Sequence, residues 1–397
     1  MDPFRYGCAV DGEYFCPRPK LVRQLQAFAK SGQNVVIQGE RRMGKTSLIR
    51  HAILEMRKMR MIYIDLYCIR TLADFCRRAM AGVAEADERM PFIRKAMSFA
   101  HTLRPTLSFD PNTGAPSISV DSRTANKPEA LDSVMGMIRK FAAQDKCCVV
   151  FDEFQDILDL ERADVILAEM RSTIQFQPDT PYFFSGSVRN DMMRIFDDSQ
   201  SPFFKSAISF TVGAIEKDAF ARFIVRRFRS GDRKIDEETA LSLIERADSV
   251  SGDVQQLCEA IWDTTVPGAE ISKASIPDAL ELIFAREGEA FGQTVRGLTP
   301  LQASVLRALA EDNDQGVFSD AFMSRVGTTS TGAMRTAIGR LVSKRIIYQF
   351  SGKYRFANPF FKVWLKVMER LPWNGWNSPT SRARSTCWKG LGSSPGL

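Results

Sequence analysis

The stretch Gly39-Glu-Arg-Arg-Met-Gly-Lys-Thr46 constrains this chain more than any other. It follows Asn34-Val-Val-Ile-Gln38, an apolar run of the length of a buried strand. It leads into Thr46 to Met56, where Leu48, Ile49, Ala52, Ile53 and Met56 recur at helical spacing. Strand, glycine-bounded loop and helix in that order make an anion cradle. Gly39 and Gly44 let the loop curl so that backbone N–H groups face inward, and the helix N-terminus adds its partial positive charge. Lys45 is then placed to neutralise β- and γ-phosphates, and Thr46 to ligate magnesium. Glu40, Arg41, Arg42, Met43 and Ser47 complete the loop, the two arginines either touching phosphate or staying solvated.

A second element belongs with it. Cys147-Cys-Val-Val-Phe-Asp152-Glu153 is an apolar strand ending in two carboxylates. Asp152 is predicted to hold magnesium, mostly through water. Glu153, on the other side of the pleat, is predicted to take a proton from an attacking water as general base. A further strand through Phe183 and Phe184 runs into Ser185-Gly-Ser187, where a hydroxyl either senses the nucleotide or simply ends the strand in a turn.

Strands are also predicted at Met61 to Leu66 and near Ile208 to Val212, with helices between most of them, which argues a parallel sheet covered on both faces. Leu107 to Val120 carries Asn112-Thr-Gly114 between two alternating segments, a β-hairpin inserted into this core. From Glu216 to about Gly292 the pattern is almost wholly helical, with stripes Phe220, Phe223, Ile224, Phe228 and Ala240, Leu241, Leu243, Ile244. Thr299 to Lys366 reads as three helices and a hairpin, a winged helix. Its third helix has Met334, Ile338, Leu341 and Val342 as the buried stripe and Arg335 and Arg340 off it, with Lys353 and Arg355 on the wing. Those four basic residues suit a DNA duplex, although winged helices also dock proteins. The expected division is a core at 1–215, a helical lid at 216–295, the winged helix at 296–371 and a disordered tail at 372–397, whose Ser/Arg/Gly-rich composition cannot build a core.

Composition narrows the class. The 397 residues, 44% hydrophobic, suffice for two or three domains. The opening Met-Asp-Pro-Phe-Arg-Tyr-Gly is unlike a signal peptide and no apolar run approaches a membrane span, so a soluble, cytoplasmic protein without membrane partners is expected. Eight scattered cysteines and two histidines show no zinc spacing, and Cys147 and Cys148 read as small buried hydrophobes. The net charge of +7 permits an acidic partner without demonstrating one.

Gly39 to Ser47, Phe151-Asp-Glu-Phe-Gln155 and Ser185-Gly-Ser187 together resemble the archaeal-type ATPases, a prokaryotic branch between the STAND regulators and the AAA+ origin initiators. Phe4-Arg-Tyr-Gly7 through Phe15-Cys-Pro-Arg18 is similar to the family's stretch near the adenine, and Asn358 to Trp364 to its closing segment. The resemblance implies an α/β fold, a P-loop AAA+-like parallel sheet core with a β-hairpin insertion, helical lid and C-terminal winged helix. It implies ATP and magnesium as cofactors, slow or triggered hydrolysis to ADP and phosphate, and nucleotide state coupled to lid and winged-helix position. It also implies a nucleotide-dependent homo-oligomer. Two departures stand out. Gln255 occupies the place of the lid arginine of AAA+ initiators, and Lys205 the place of an arginine that completes a neighbour's site. The alternative reading is a DNA-binding initiator or regulator that keeps ATP as a structural ligand.

Overall fold

Five apolar runs form one parallel sheet in the computed structural model, which describes residues 2–87, 106–109, 116–119, 128–187, 189–311, 316–350 and 352–369. The strands are β1 (Val35–Gln38), β2 (Arg60–Asp65), β5 (Cys147–Asp152), β6 (Tyr182–Gly186) and β7 (Ile208–Thr211). Their order is β2-β5-β6-β1-β7. Every residue of β5 and β6 is buried, as continuous apolar strands covered on both faces must be. Because β6 lies between β1 and β5, the loop after β1 and the carboxylates after β5 flank the end of β6. Ligands of open α/β sheets bind at this carboxyl edge.

The helix that follows the phosphate loop, α2, spans Lys45–Leu54. Before it, α1 (Pro19–Lys30) carries proline in its first turn, where the missing N–H costs nothing. After β2, α3 (Leu72–Ala86) starts on a capping box in which Thr71 and Asp74 satisfy each other's backbone N–H groups. Phe151 sits mid-core, its ring centroid 5.9 Å from Phe184, 5.8 Å from Phe154 and 6.1 Å from Phe75. Cys147 and Cys148 are buried as expected, and burial raises both thiols, that of Cys147 to about 12. The hairpin is present as β3 (Thr106–Phe109) and β4 (Pro116–Ser119), antiparallel with Thr106 opposite Ser119. Its turn, Asn112 to Gly114, and Val120 lie outside the described residues.

These elements belong to one unit, Ala9–Gly213; Met1–Cys8 with Ala214–Leu397 form the other. The opening residues join that second unit through Phe4, which is buried with its ring 4.6 Å from Phe228, and through Arg227 Nε, which donates to the Pro3 carbonyl at 2.8 Å. Phe220, Phe223, Ile224 and Phe228 form the buried face of helix Lys217–Arg229. The segment predicted as almost wholly helical also holds a short parallel pair, β8 (Lys234–Ile235) with β9 (Glu270–Ile271), too brief to leave a periodic signal.

The winged helix has helices Pro300–Glu311, Asp320–Val326 and Thr331–Ser343, then the hairpin β10 (Ile347–Phe350) and β11 (Lys353–Phe356). Its third helix corrects one expectation. Val342 is 38% exposed, and the buried stripe is Met334, Ala337, Ile338 and Leu341. Ala337 takes its place, so the stripe ends at Leu341. Asn358 opens helix Pro359–Glu369, its side chain accepting from the Phe360 and Phe361 N–H groups, and Phe360, Phe361 and Trp364 are buried. The tail predicted at 372–397 lies outside the described residues. No helix among the described residues is long and apolar enough to cross a membrane.

Candidate functional site

The two glycines of the loop are required for different reasons. A Cβ on Gly39 would sit 2.5 Å from the Val212 carbonyl oxygen, where β7 passes alongside. Gly44 has φ +79, the left-handed conformation that only glycine adopts without strain. Between them Arg42 also takes a positive φ of 64. Arg41 reaches over the Tyr67 ring, 6.0 Å from its centroid.

Lys45 is buried and curls back over the loop, its ammonium donating to the carbonyls of Gly39 and Glu40 at 3.0 Å each. Burial pushes this ammonium below its ordinary pKa, while the Glu153 and Asp152 carboxylates work against the shift. An arriving polyanion would relieve the same cost. Ser47 faces away from the loop interior: its hydroxyl accepts from the Val10 N–H at 3.0 Å, tying down the chain start of this unit.

Thr46 and Asp152, 106 residues apart, meet at 2.6 Å, the Thr46 hydroxyl donating to Asp152 Oδ2. The Tyr63 phenol donates to the same oxygen at 2.7 Å, and Asp152 Oδ1 accepts from the Glu153 N–H. Burial first, then the charge of Asp152, raises the Tyr63 pKa, so the phenol stays a proton donor. Two hard oxygen donors from separate elements at one point suit magnesium, which takes one or two protein ligands and fills its octahedron with water and phosphate oxygens.

Glu153 corrects the strand-based expectation. Its direction comes from a left-handed φ of 50, where the chain leaves β5 for a 3-10 turn at Phe154–Asp159. Phe154 and Ile157, both fully buried, draw the chain into that turn. Glu153 Oε2 accepts from the Ser187 hydroxyl at 2.9 Å and from Gln155 Nε2 at 2.6 Å. Ser185 is opposite Ile37 in register and fully buried, with no partner for its hydroxyl among the described residues. Of the two serines, Ser187 is the one joined to the carboxylate.

Comparisons with known proteins bear on the fold. A family model described as a probable winged helix domain matches residues 289–367. No curated protein matches the chain. Among solved structures, the Walker-type ATPase PABY2304 of Pyrococcus abyssi is similar with a TM-score of 0.62 at 20% identity, over 89% of this chain and 97% of that one. The chain shares the fold of that Walker-type ATPase. The ORC2 protein of Aeropyrum pernix, solved in ADPNP-ADP complexes, is similar at a TM-score of 0.51 and 12% identity, over 98% and 100% of the two chains. The ORC1 protein of Aeropyrum pernix, solved in complex with DNA, reaches 0.50 at 12% identity over 89% and 93%.

Within this fold, three residues make contacts that the motifs do not assign. Tyr63 is hidden in an ordinary β2 pattern. Gln155 stands in the motif carrying the resemblance but has no chemistry of its own to mark it. Arg18 is buried, donating from one nitrogen to the Met43 carbonyl at 2.8 Å and from the other to the Gly213 carbonyl at 3.0 Å. Burial lowers its pKa to about 10. It ties the phosphate loop to the end of the unit. Arg18→Met is expected to weaken ATP binding by about tenfold, since hydrogen bonds from charged groups contribute about 1.5–3 kcal/mol. Titration with a fluorescent ATP analogue checks this; unchanged affinity would make Arg18 a packing residue.

The remaining candidates belong to other elements. Lys205 is exposed on a left-handed turn, φ 50, over the Phe204 ring at 5.2 Å. Gln255 is buried in helix Ser251–Thr264 of the other unit. Arg335 and Arg340 are exposed on the third winged-helix helix, Arg335 lying 6.0 Å from the Phe318 ring centroid, and Lys353 is exposed and Arg355 half-buried in the hairpin.

Proposed function

We propose that this chain binds ATP with magnesium at Gly39–Ser47 and Asp152 and hydrolyses it to ADP and phosphate, the nucleotide state setting the positions of the lid (216–295) and winged helix (296–371). The observation that carries this is the meeting of Thr46 and Asp152 beneath the loop that holds Lys45. A strand-to-helix turn serving only the fold would not need a buried ammonium and a buried carboxylate beside it.

In this reading the loop N–H groups and Lys45 bind the phosphates, while Thr46 and Asp152 hold magnesium. Magnesium held there would supply charge neutralisation at the phosphates. Glu153 accepts a proton from water as the water oxygen attacks phosphorus and ADP leaves. Ser187 fixes one oxygen of that carboxylate. Hydrolysis is slow or triggered, because Gln255 and Lys205 stand where the resemblance puts arginines, and Lys205 is the residue a neighbouring copy would meet in a homo-oligomer. Calorimetric titration with ATP, with and without magnesium, tests the binding half. Saturable, magnesium-strengthened binding supports it, and absence of binding at millimolar ATP sinks it.

A second reading, DNA binding, is favoured by charge placement. Residues 296–369 carry eleven lysines and arginines against five acids, so most of the +7 net charge falls in the winged helix. The ORC1 protein with this fold was solved with DNA. Duplex DNA is expected to be retained at about 50 mM salt, with log affinity falling by about 0.9 per phosphate contact as log salt rises. Arg335→Ala with Lys353→Ala should flatten that slope. No retention at low salt would leave a protein-docking wing.

A further inference from the structure

The carboxylate of Glu153 is held from one side only. Gln155 Nε2 and the Ser187 hydroxyl both donate to Oε2, and among the described residues nothing donates to Oε1. Gln155 itself is buried, 4% exposed, and its amide nitrogen also donates to Asp156 Oδ1 at 2.9 Å. Two carboxylate acceptors fix which end of the amide is nitrogen, because the carbonyl end would meet like partial charge. Asp156, 2% exposed, accepts in turn from the Cys68 N–H at 2.7 Å, in the loop after β2.

The other end of the amide makes this arrangement informative. Gln155 Oε1 is buried without a hydrogen-bond partner among the described residues. It lies where a Cβ on Gly186 would come within 2.6 Å, so glycine at that position makes room for it. An unsatisfied buried acceptor costs free energy that leucine or methionine of similar size would spare. Packing alone therefore argues against glutamine here, and its two donors are what the position gains.

From these contacts we infer that Gln155 is a positioning residue for hydrolysis: it clamps Glu153 through Oε2, anchored by Asp156, and leaves Oε1 open to the attacking water. This rests on Glu153 being the general base. The clamp acts on the carboxylate and not on the nucleotide, so its loss slows turnover without weakening ATP binding.

The test is Gln155→Leu, with Gln155→Met as a second core-compatible variant and Ser187→Ala as a variant too small a change to unfold the chain. For each, kcat, KM, affinity for a fluorescent ATP analogue and thermal midpoint are measured beside wild type and Glu153→Gln. Gln155→Leu or Gln155→Met should lose about tenfold in kcat or more, with ATP affinity within about twofold of wild type. Ser187→Ala should lose less, again in kcat alone. A purely structural glutamine would instead lower the thermal midpoint and leave kcat unchanged. Wild-type kcat in the Gln155 variants while Glu153→Gln is inactive overturns the clamp and leaves the base standing. Wild-type turnover in Glu153→Gln overturns both.

Discussion

Lys45→Ala is expected to lose ATP binding by more than a hundredfold. The ammonium is buried against two loop carbonyls and stands for the charge that the phosphates must meet. Charged hydrogen bonds contribute about 1.5–3 kcal/mol each, and two of them lost to phosphate correspond to a factor of a hundred or more. Folding should not suffer in parallel. Because burial depresses the Lys45 pKa, the folded protein disfavours the charged form, and that cost weighs at every pH below the depressed value. Removing the charge removes the cost, so the thermal midpoint is expected to hold or rise while binding disappears. A fluorescent-nucleotide titration with a melting curve on the same sample checks both, and wild-type affinity in the variant would contradict the assignment of Lys45.

Glu153→Gln is expected to separate binding from chemistry. The substituted amide keeps an oxygen that can accept from Ser187 and Gln155, so the turn at Phe154–Asp159 has no reason to move. What disappears is the ability to take a proton, and general bases typically contribute about 10²–10⁴ in rate. Phosphate release should therefore fall by at least about a hundredfold while ATP affinity stays near wild type. Equal hydrolysis by the variant and wild type would remove Glu153 from the mechanism and leave Lys45, Thr46 and Asp152 as a binding site.

The phosphate loop was legible because its constraints are local. Gly44 needs a left-handed φ and Lys45 follows at the helix start, all within one turn of chain. Gly39 is legible as part of the motif, yet its physical reason, the Val212 carbonyl against its Cα, comes from a strand far along the sequence. The acidic pair was legible for the same local reason, an apolar run ending in carboxylates. The strand order β2-β5-β6-β1-β7 was not, because periodicity says which segments are strands and nothing about which lie side by side.

The misses share that cause. Arg18 and Gly213 are 195 residues apart, and Tyr63 meets Asp152 across 89. Gln155 is near in sequence but acquires meaning only when Glu153 turns left-handed, which alternation along a strand cannot foresee. Side-chain size points to Val342 for the buried stripe, whereas Ala337 is the residue buried there. Apolar stripes mark the buried side of a helix; where that side is closely approached, small residues decide its edge.

The central claim is that the site turns over ATP and does not merely hold it. Single-turnover incubation of the wild-type chain, in excess over radiolabelled ATP with magnesium, tests this most directly. Conversion of bound ATP to ADP and free phosphate is expected, with none above background for Lys45→Ala. ATP that binds and is recovered intact would contradict the account and make the nucleotide a structural ligand.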